Sequence, residues 1–180
     1  VESFLSSGVD SSYVLAMSDA KRCGSCGYEE ERFDESRLAR KTADLLGREH
    51  GVCLITPEKF FDVVPYVMYN MEQPLGDASA IAFTIACNET AEHTKICYSG
   101  EGADEFFGGY NMYRNAERYG DELKNFYVGN TNIMKEDEKK KILKYYNEDV
   151  QPLDLVKDIY AETEELDPLT KMMNVDVQLY

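Results

Sequence analysis

Short apolar runs recur along the first hundred residues, separated by stretches whose apolar residues fall at helical spacing. Residues 2–5 predict a buried strand, and Ser11 to Asp19 a short helix that starts in a polar loop. A second strand is expected from Lys21 to Cys26, ending at Gly27. Asp34 is placed to cap a helix running to about His50, with Leu38, Ala39, Thr42, Leu45 and Leu46 on one face. Val52 to Ile55 reads as a third strand. Thr56-Pro57 then supplies an N-cap and a proline at the first helical position. The helix that follows carries Phe60, Phe61, Val64, Val67, Met68 and Met71 at spacings of three and four, an apolar stripe for packing on a sheet. Gln73 to Asp77 interrupts the pattern, Ser79 to about Glu92 resumes it, and Lys95 to Tyr98 forms a fourth strand.

Strands alternating with helices imply parallel pairing through right-handed crossovers. After about Tyr110 the strand pattern stops, and Met112 to Phe126, Lys135 to Tyr146 and Leu153 to Glu165 read as charged, tyrosine-rich helices. The expected fold is therefore α/β, a mainly parallel sheet with flanking helices followed by a helical C-terminal segment. On this basis residues 1–120 form the α/β core and 121–180 the helical remainder of the same domain.

Composition narrows the function classes. With 180 residues, 43% of them hydrophobic, the chain can bury one substantial core. A formal charge of −15 disfavours nucleic acid and anionic membrane surfaces, both of which attract basic faces. The most apolar uncharged run, Ala78 to Asn88, falls far short of the ~20 residues that span a bilayer. Five cysteines, an odd number, fit a reducing cytoplasm better than a disulfide framework. The chain opens directly in a strand, without an initiator Met, and reads as a piece of a longer protein.

Two polar loops follow predicted strands, where open α/β sheets bind their ligands. The first is Ser6-Ser7-Gly8-Val9-Asp10-Ser11-Ser12. A positive φ at Gly8 would let successive N–H groups converge on an anion, and the next helix would point its positive end at the same place. Ser6, Ser11 and Ser12 add hydroxyls, and Asp10 offers oxygen to Mg²⁺. The plainer alternative is a tight turn with Asp10 or Ser11 as an ordinary N-cap. The second loop, Ser99-Gly100-Glu101-Gly102-Ala103-Asp104-Glu105, places three carboxylates among glycines. Glu101 and Asp104 would share a face if the segment were helical, and a cation would relieve their repulsion. Its plainer alternative is a solvated acidic turn.

Leu5 to Ser12 resembles the pyrophosphate loop of the N-type ATP pyrophosphatases. Ser99 to Tyr110, which adds Phe106-Phe107-Gly108-Gly109-Tyr110 to the second loop, is similar to the second signature of glutamine-hydrolysing asparagine synthetases. Gly27-Tyr28-Glu29, Phe33-Asp34-Glu35, the stretch Glu72 to Ile81 and the tail Asp167 to Met173 fit that family in the right order. The resemblance implies an adenine nucleotide alpha hydrolase-like fold and an ATP-dependent carbon–nitrogen ligase. Such enzymes adenylate the side-chain carboxylate of aspartate, release pyrophosphate, and let ammonia displace AMP.

Carried over position by position, the resemblance puts Leu5 and Cys26 against the nucleoside and Ser99 and Gly100 on the nucleotide. Ser6, Ser7, Gly8, Val9, Asp10, Ser11 and Ser12 would hold the pyrophosphate. Glu101 would support adenylate formation, and Asp10 with Asp104 would hold Mg²⁺. The implied substrates are ATP, aspartate and ammonia, and the implied partner is an N-terminal glutaminase domain of the parent chain. Ser7 stands where the family usually has a second glycine, and Cys26 where it has valine. Neither the glutaminase nucleophile nor the C-terminal basic motif lies within these residues. The chain is therefore expected to bind nucleotide without making asparagine, and to expose an apolar face after Tyr110 that favours self-association.

Alternatives remain. A β-lactam-synthetase-like relative would use the same adenylation on another acid, and a non-catalytic nucleotide- or metal-binding module is a further reading. Cys23-Gly24-Ser25-Cys26 is a C-x-x-C, but a structural zinc site needs four ligands and no second pair is present. The expectation is two structural thiols.

Overall fold

The computed structural model describes residues 1–72, 78–115, 129, 134, 136–151 and 153–179. Two compact units divide it, Val1–Glu101 and Gly102–Tyr180. The boundary near residue 120 expected from the sequence lies outside the described residues, as do most of the helix expected from Met112 to Phe126 and the core of the Glu72–Ile81 motif.

In the first unit four strands form one parallel sheet: β1 (Glu2–Phe4), β2 (Arg22–Tyr28), β3 (Glu49–Ile55) and β4 (Cys97–Tyr98). Their order is β3-β2-β1-β4, so the chain winds outward one way from β1 and then crosses to its other side. β2 and β3 pair over seven residues, from Arg22↔Glu49 to Tyr28↔Ile55. β4 is held to β1 by only Glu2↔Cys97 and Ser3↔Tyr98. Both strands that carry motif loops are thus short neighbours, which places the two loops side by side at the sheet's carboxyl edge.

The helices α1 (Val9–Met17), α2 (Ser36–Leu45), α3 (Pro57–Asn70) and α4 (Ser79–Ala91) complete this unit. One core gathers Leu15 of α1, Cys23 of β2, Ala39 and Ala43 of α2, and the loop residues Leu5 and Ala20 that flank β1 and β2. A second gathers Cys53, Ile55, Val67, Ile81 and Ile85, with Cys26, Tyr28, Phe60 and Met68 packed against it. Because strand residues three apart point to opposite faces, Cys23 and Cys26 enter different cores. A shared metal or a disulfide between them is therefore ruled out by the pleat. Burial pushes both thiols up to about 11.

Local signals set the helix starts. Thr56 Oγ1 accepts the N–H of Lys59 at 3.3 Å, with Pro57 at the first position. Asp34 Oδ1 accepts the N–H of Ser36 at 3.1 Å, while Glu35 occupies the cap position of α2. The apolar face expected on α2 is only partly used: Ala39 and Ala43 are buried, but Leu38 is 54% and Leu45 87% exposed. The helix stops at Leu45 because the chain turns at Gly47 (φ +64°) to enter β3 at Glu49, so periodicity past Leu45 belongs to a turn and a strand.

The second unit holds α5 (Ala103–Phe107), a 3₁₀ turn (Asn111–Asn115), α6 (Glu136–Ile142), α7 (Leu153–Glu162) and α8 (Pro168–Leu179). α8 was not expected from the pattern. Its start is nonetheless written in Asp167-Pro168, since the Asp167 carboxylate accepts both the N–H (3.1 Å) and the hydroxyl (2.6 Å) of Thr170. Its buried face, Lys171, Met172, Val175 and Asp176, mixes polar with apolar residues, which blurs the periodicity.

Candidate nucleotide-binding site

The first loop leaves β1 at Phe4 and enters α1 at Val9. Leu5 is buried in the core, its N–H bonded to the Gly24 carbonyl at 2.8 Å, so the loop is anchored at its root. Only the Leu5 backbone is left to face a ligand. Cys26 is likewise turned into a core, its Sγ near the Ala82 carbonyl at 3.9 Å.

Beyond Leu5 the loop is organised by its serines. The N–H of Ser6 donates to Ser11 Oγ at 3.0 Å, and the two hydroxyls meet at 2.9 Å. The N–H of Gly8 donates to Ser6 Oγ at 3.1 Å, and the Ser12 hydroxyl to the Gly8 carbonyl at 2.7 Å. The Ser7 N–H and hydroxyl both turn to Glu35 Oε2, at 3.4 and 2.6 Å. Gly8 itself is extended, with φ −73° and ψ 156°, so the expected positive φ is not what requires glycine here. A Cβ there would stand 3.2 Å from Ser6 Oγ, the acceptor of the Gly8 N–H, so a side chain would need the Ser6 hydroxyl to give way by a few tenths of an ångström.

The second loop reaches the first through Gly100. A Cβ on Gly100 would lie 2.8 Å from the Ser11 backbone nitrogen and 3.1 Å from the Asp10 carbonyl carbon. Backbone therefore packs directly on the first turn of α1, a fit only glycine allows. Ser99 Oγ accepts the N–H of Glu101 at 3.1 Å, and Glu101 is exposed. Ser6 to Ser12, Ser99, Gly100 and Glu101 are in this way drawn to one end of the first unit.

Asp104 lies in the second unit. α5 begins at Ala103, so Glu101 precedes the helix rather than sharing its face with Asp104. Gly102 (φ +85°) and Gly108 (φ +69°) take left-handed conformations that bracket this five-residue helix. Around it runs a polar chain: the Tyr110 hydroxyl donates to Glu105 at 2.6 Å, and the Tyr113 hydroxyl to Asp176 at 2.6 Å. Glu105, Tyr113 and Asp176 are all buried, and burial with the Asp176 bond pushes the Tyr113 phenol up. Spacing alone gave no sign of this buried network.

Among the described residues no three or more His, Cys, Asp or Glu side chains gather as metal ligands. A cavity of about 170 Å³ opens elsewhere in the first unit, lined by Glu2, Arg22, Gly24, Gly51, Glu89 and His93 among others. It takes in Gly24 and Ser25 of the C-x-x-C but no residue of either motif loop, so a cavity by itself is a poor guide to the site. The donor set of the first loop is the better one. Serine hydroxyls and backbone N–H groups at the start of a nine-residue helix suit a phosphate group, and the Asp10 carboxylate suits Mg²⁺.

A loop that runs from a parallel strand into a helix, with the Gly100 backbone packed on it at the carboxyl edge of the sheet, lies where open α/β folds bind their ligands. The asparagine synthase family model matches residues 1–180, and the chain belongs to that family. It is 30% identical over 218 aligned positions to an asparagine synthetase [glutamine-hydrolyzing] of Bacillus subtilis, which covers all of this chain and 34% of that protein. A putative asparagine synthetase [glutamine-hydrolyzing] of Mycobacterium tuberculosis is 24% identical over 98% of the chain and 33% of its own length. The amidase chry2 of Gibberella zeae is 29% identical over 62% of the chain and 20% of its length. The chain thus spans about a third of the length of the full-coverage relatives.

Proposed function

We propose that this chain is the synthetase part of a glutamine-hydrolysing asparagine synthetase, activating aspartate with ATP and passing it to ammonia. The observation that carries this is Gly100 seated on the backbone of Asp10 and Ser11, which joins the two motif loops in one place.

In the proposed reaction an oxygen of the aspartate side-chain carboxylate attacks the α-phosphorus of ATP. The bond to the pyrophosphate oxygen breaks, leaving aspartyl-AMP. Ammonia then attacks the acyl carbon, AMP leaves, and the lost proton passes to solvent. Ser6 to Ser12 would receive the pyrophosphate through hydroxyls and N–H groups, stabilising charge that grows as the bond breaks. Ser99 and Gly100 would line the nucleotide, with Leu5 and Cys26 on the nucleoside side. Glu101, exposed at the loop's end, would support adenylate formation. Asp10 would hold Mg²⁺, whose charge offsets that of the phosphates.

A glutaminase domain in the parent protein would supply ammonia from glutamine, and five free thiols fit a reducing cytoplasm. The test is aspartate-dependent pyrophosphate release by the full-length parent with ammonia supplied. Release should require both ATP and aspartate, and Glu101→Gln should abolish it while leaving the melting temperature unchanged. Activity retained in that variant removes Glu101 from the site. The likeness to an amidase favours a second reading, the same adenylation applied to another acid. Pyrophosphate release driven by a different carboxylate, and not by aspartate, would establish it.

A further inference from the structure

The bonds of the first loop divide into two kinds. Ser6 and Gly8 give their N–H groups to hydroxyls of Ser11 and Ser6, neutral acceptors within the loop. Ser7 gives both its donors to an anion from elsewhere, the Glu35 carboxylate at the start of α2. A carboxylate oxygen accepting an N–H and an O–H from one residue reproduces what a phosphate oxygen would accept there. The 2.6 Å hydroxyl bond is the shorter of the two, so the hold depends mainly on the Ser7 side chain.

Resting on the assignment of this loop to pyrophosphate, we propose that Glu35 is a built-in competitor: its carboxylate occupies the Ser7 donors and must withdraw before pyrophosphate binds. Two features make that exchange easy. Glu35 and Ser7 are both exposed, so each regains water when they part. Glu35 also sits at the cap position of α2 without a side-chain cap bond, so its departure leaves the helix start to Asp34, which already holds the Ser36 N–H. Two negative groups cannot share the Ser7 donors without repulsion, so a bound pyrophosphate and a latched Glu35 exclude one another. A glycine in place of Ser7 would lack the hydroxyl and keep only the 3.4 Å amide contact.

The experiment is calorimetric titration of the chain with magnesium pyrophosphate, and separately with adenosine, for wild type, Glu35→Ala, Glu35→Gln and Ser7→Gly. Glu35→Ala should bind pyrophosphate about 3- to 10-fold more tightly, the reach of one exposed charge-assisted bond, whereas Ser7→Gly removes the latch and one pyrophosphate donor together and should bind less tightly than Glu35→Ala. Glu35→Gln, isosteric but uncharged, should fall between Glu35→Ala and wild type and guards against a folding defect in the alanine variant. Adenosine affinity should be the same in all four, which a general change of fold would not give. Wild-type binding with equal or weaker binding in Glu35→Ala overturns the competitor. No pyrophosphate binding by wild type or by any variant overturns the assignment of the loop itself, and the competitor with it.

Discussion

Gly100→Ala is the substitution that most directly tests whether the two motif loops are one structure. The added methyl would meet the Ser11 nitrogen at 2.8 Å and the Asp10 carbonyl carbon at 3.1 Å, both backbone atoms of the loop's exit into α1. Carbon–nitrogen contact below about 3.4 Å is repulsive, and neither atom can rotate away as a side chain would. Relief requires the loops to separate by several tenths of an ångström. Overpacking of this kind costs about 1–3 kcal/mol, and roughly 2–4 °C of melting temperature follows each kcal/mol in a chain of this size. The larger effect should fall on Mg·ATP, because separation displaces Asp10 and the first turn of α1 together. Gly24→Ala is the control: a Cβ there meets nothing within 4 Å, and alanine stiffens the unfolded chain, so stability should hold or rise by about 0.5 kcal/mol. The assay is thermal unfolding and ATP calorimetry on both variants. If Gly100→Ala melts and binds like wild type, the two loops are not in contact and do not form one site.

Three further outcomes are expected. Asp10→Asn removes a proposed magnesium ligand, so Mg·ATP affinity should fall about tenfold while metal-free nucleotide binding changes little; calorimetry with and without Mg²⁺ separates the two. Tyr113→Phe takes one donor from buried Asp176 and should destabilise by about 1–3 kcal/mol, read by denaturant unfolding. Burial, with Arg40 nearby, lowers the His50 pKa below its ordinary 6.5, so the folded state resists protonating it. The stability this gives is present above about pH 6.5 and is lost as pH falls from there towards the lowered folded value. A His50→Gln variant should lose that part of the slope in pH-dependent melting.

Much of the first unit was legible because its elements are short and punctuated. Thr56-Pro57 states a helix start in two residues, and the strands expected at residues 2–5, 21–26, 52–55 and 95–98 each overlap an observed one, the last only at Cys97 and Tyr98. Boundaries failed where neighbours outside the element decided them. β3 begins at Glu49 because it pairs residue for residue with β2, including the unpatterned Glu49, His50 and Gly51. The proximity of the two motif loops could be expected from their places after strands. The particular contact, Gly100 against Asp10 and Ser11, depends on β4 lying beside β1, which no local pattern encodes. Glu35 was legible only as part of a family motif, since its partner Ser7 is distant in sequence. The Tyr113–Asp176 bond spans a still longer separation.

The placement of Cys23 and Cys26 on opposite faces of β2 makes the pair a two-channel reporter. Each thiol reacts faster with an alkylating reagent when its own side of the sheet opens, Cys23 from a buried state and Cys26 from a half-buried one, because burial suppresses the thiolate in both. Cys23 therefore times the release of α1 and α2, and Cys26 that of α3 and α4. Pyrophosphate, which lacks the nucleoside and would sit on the first loop alone, should slow labelling at Cys23 more than at Cys26, which lets partial opening be resolved by mass spectrometry from native residues alone.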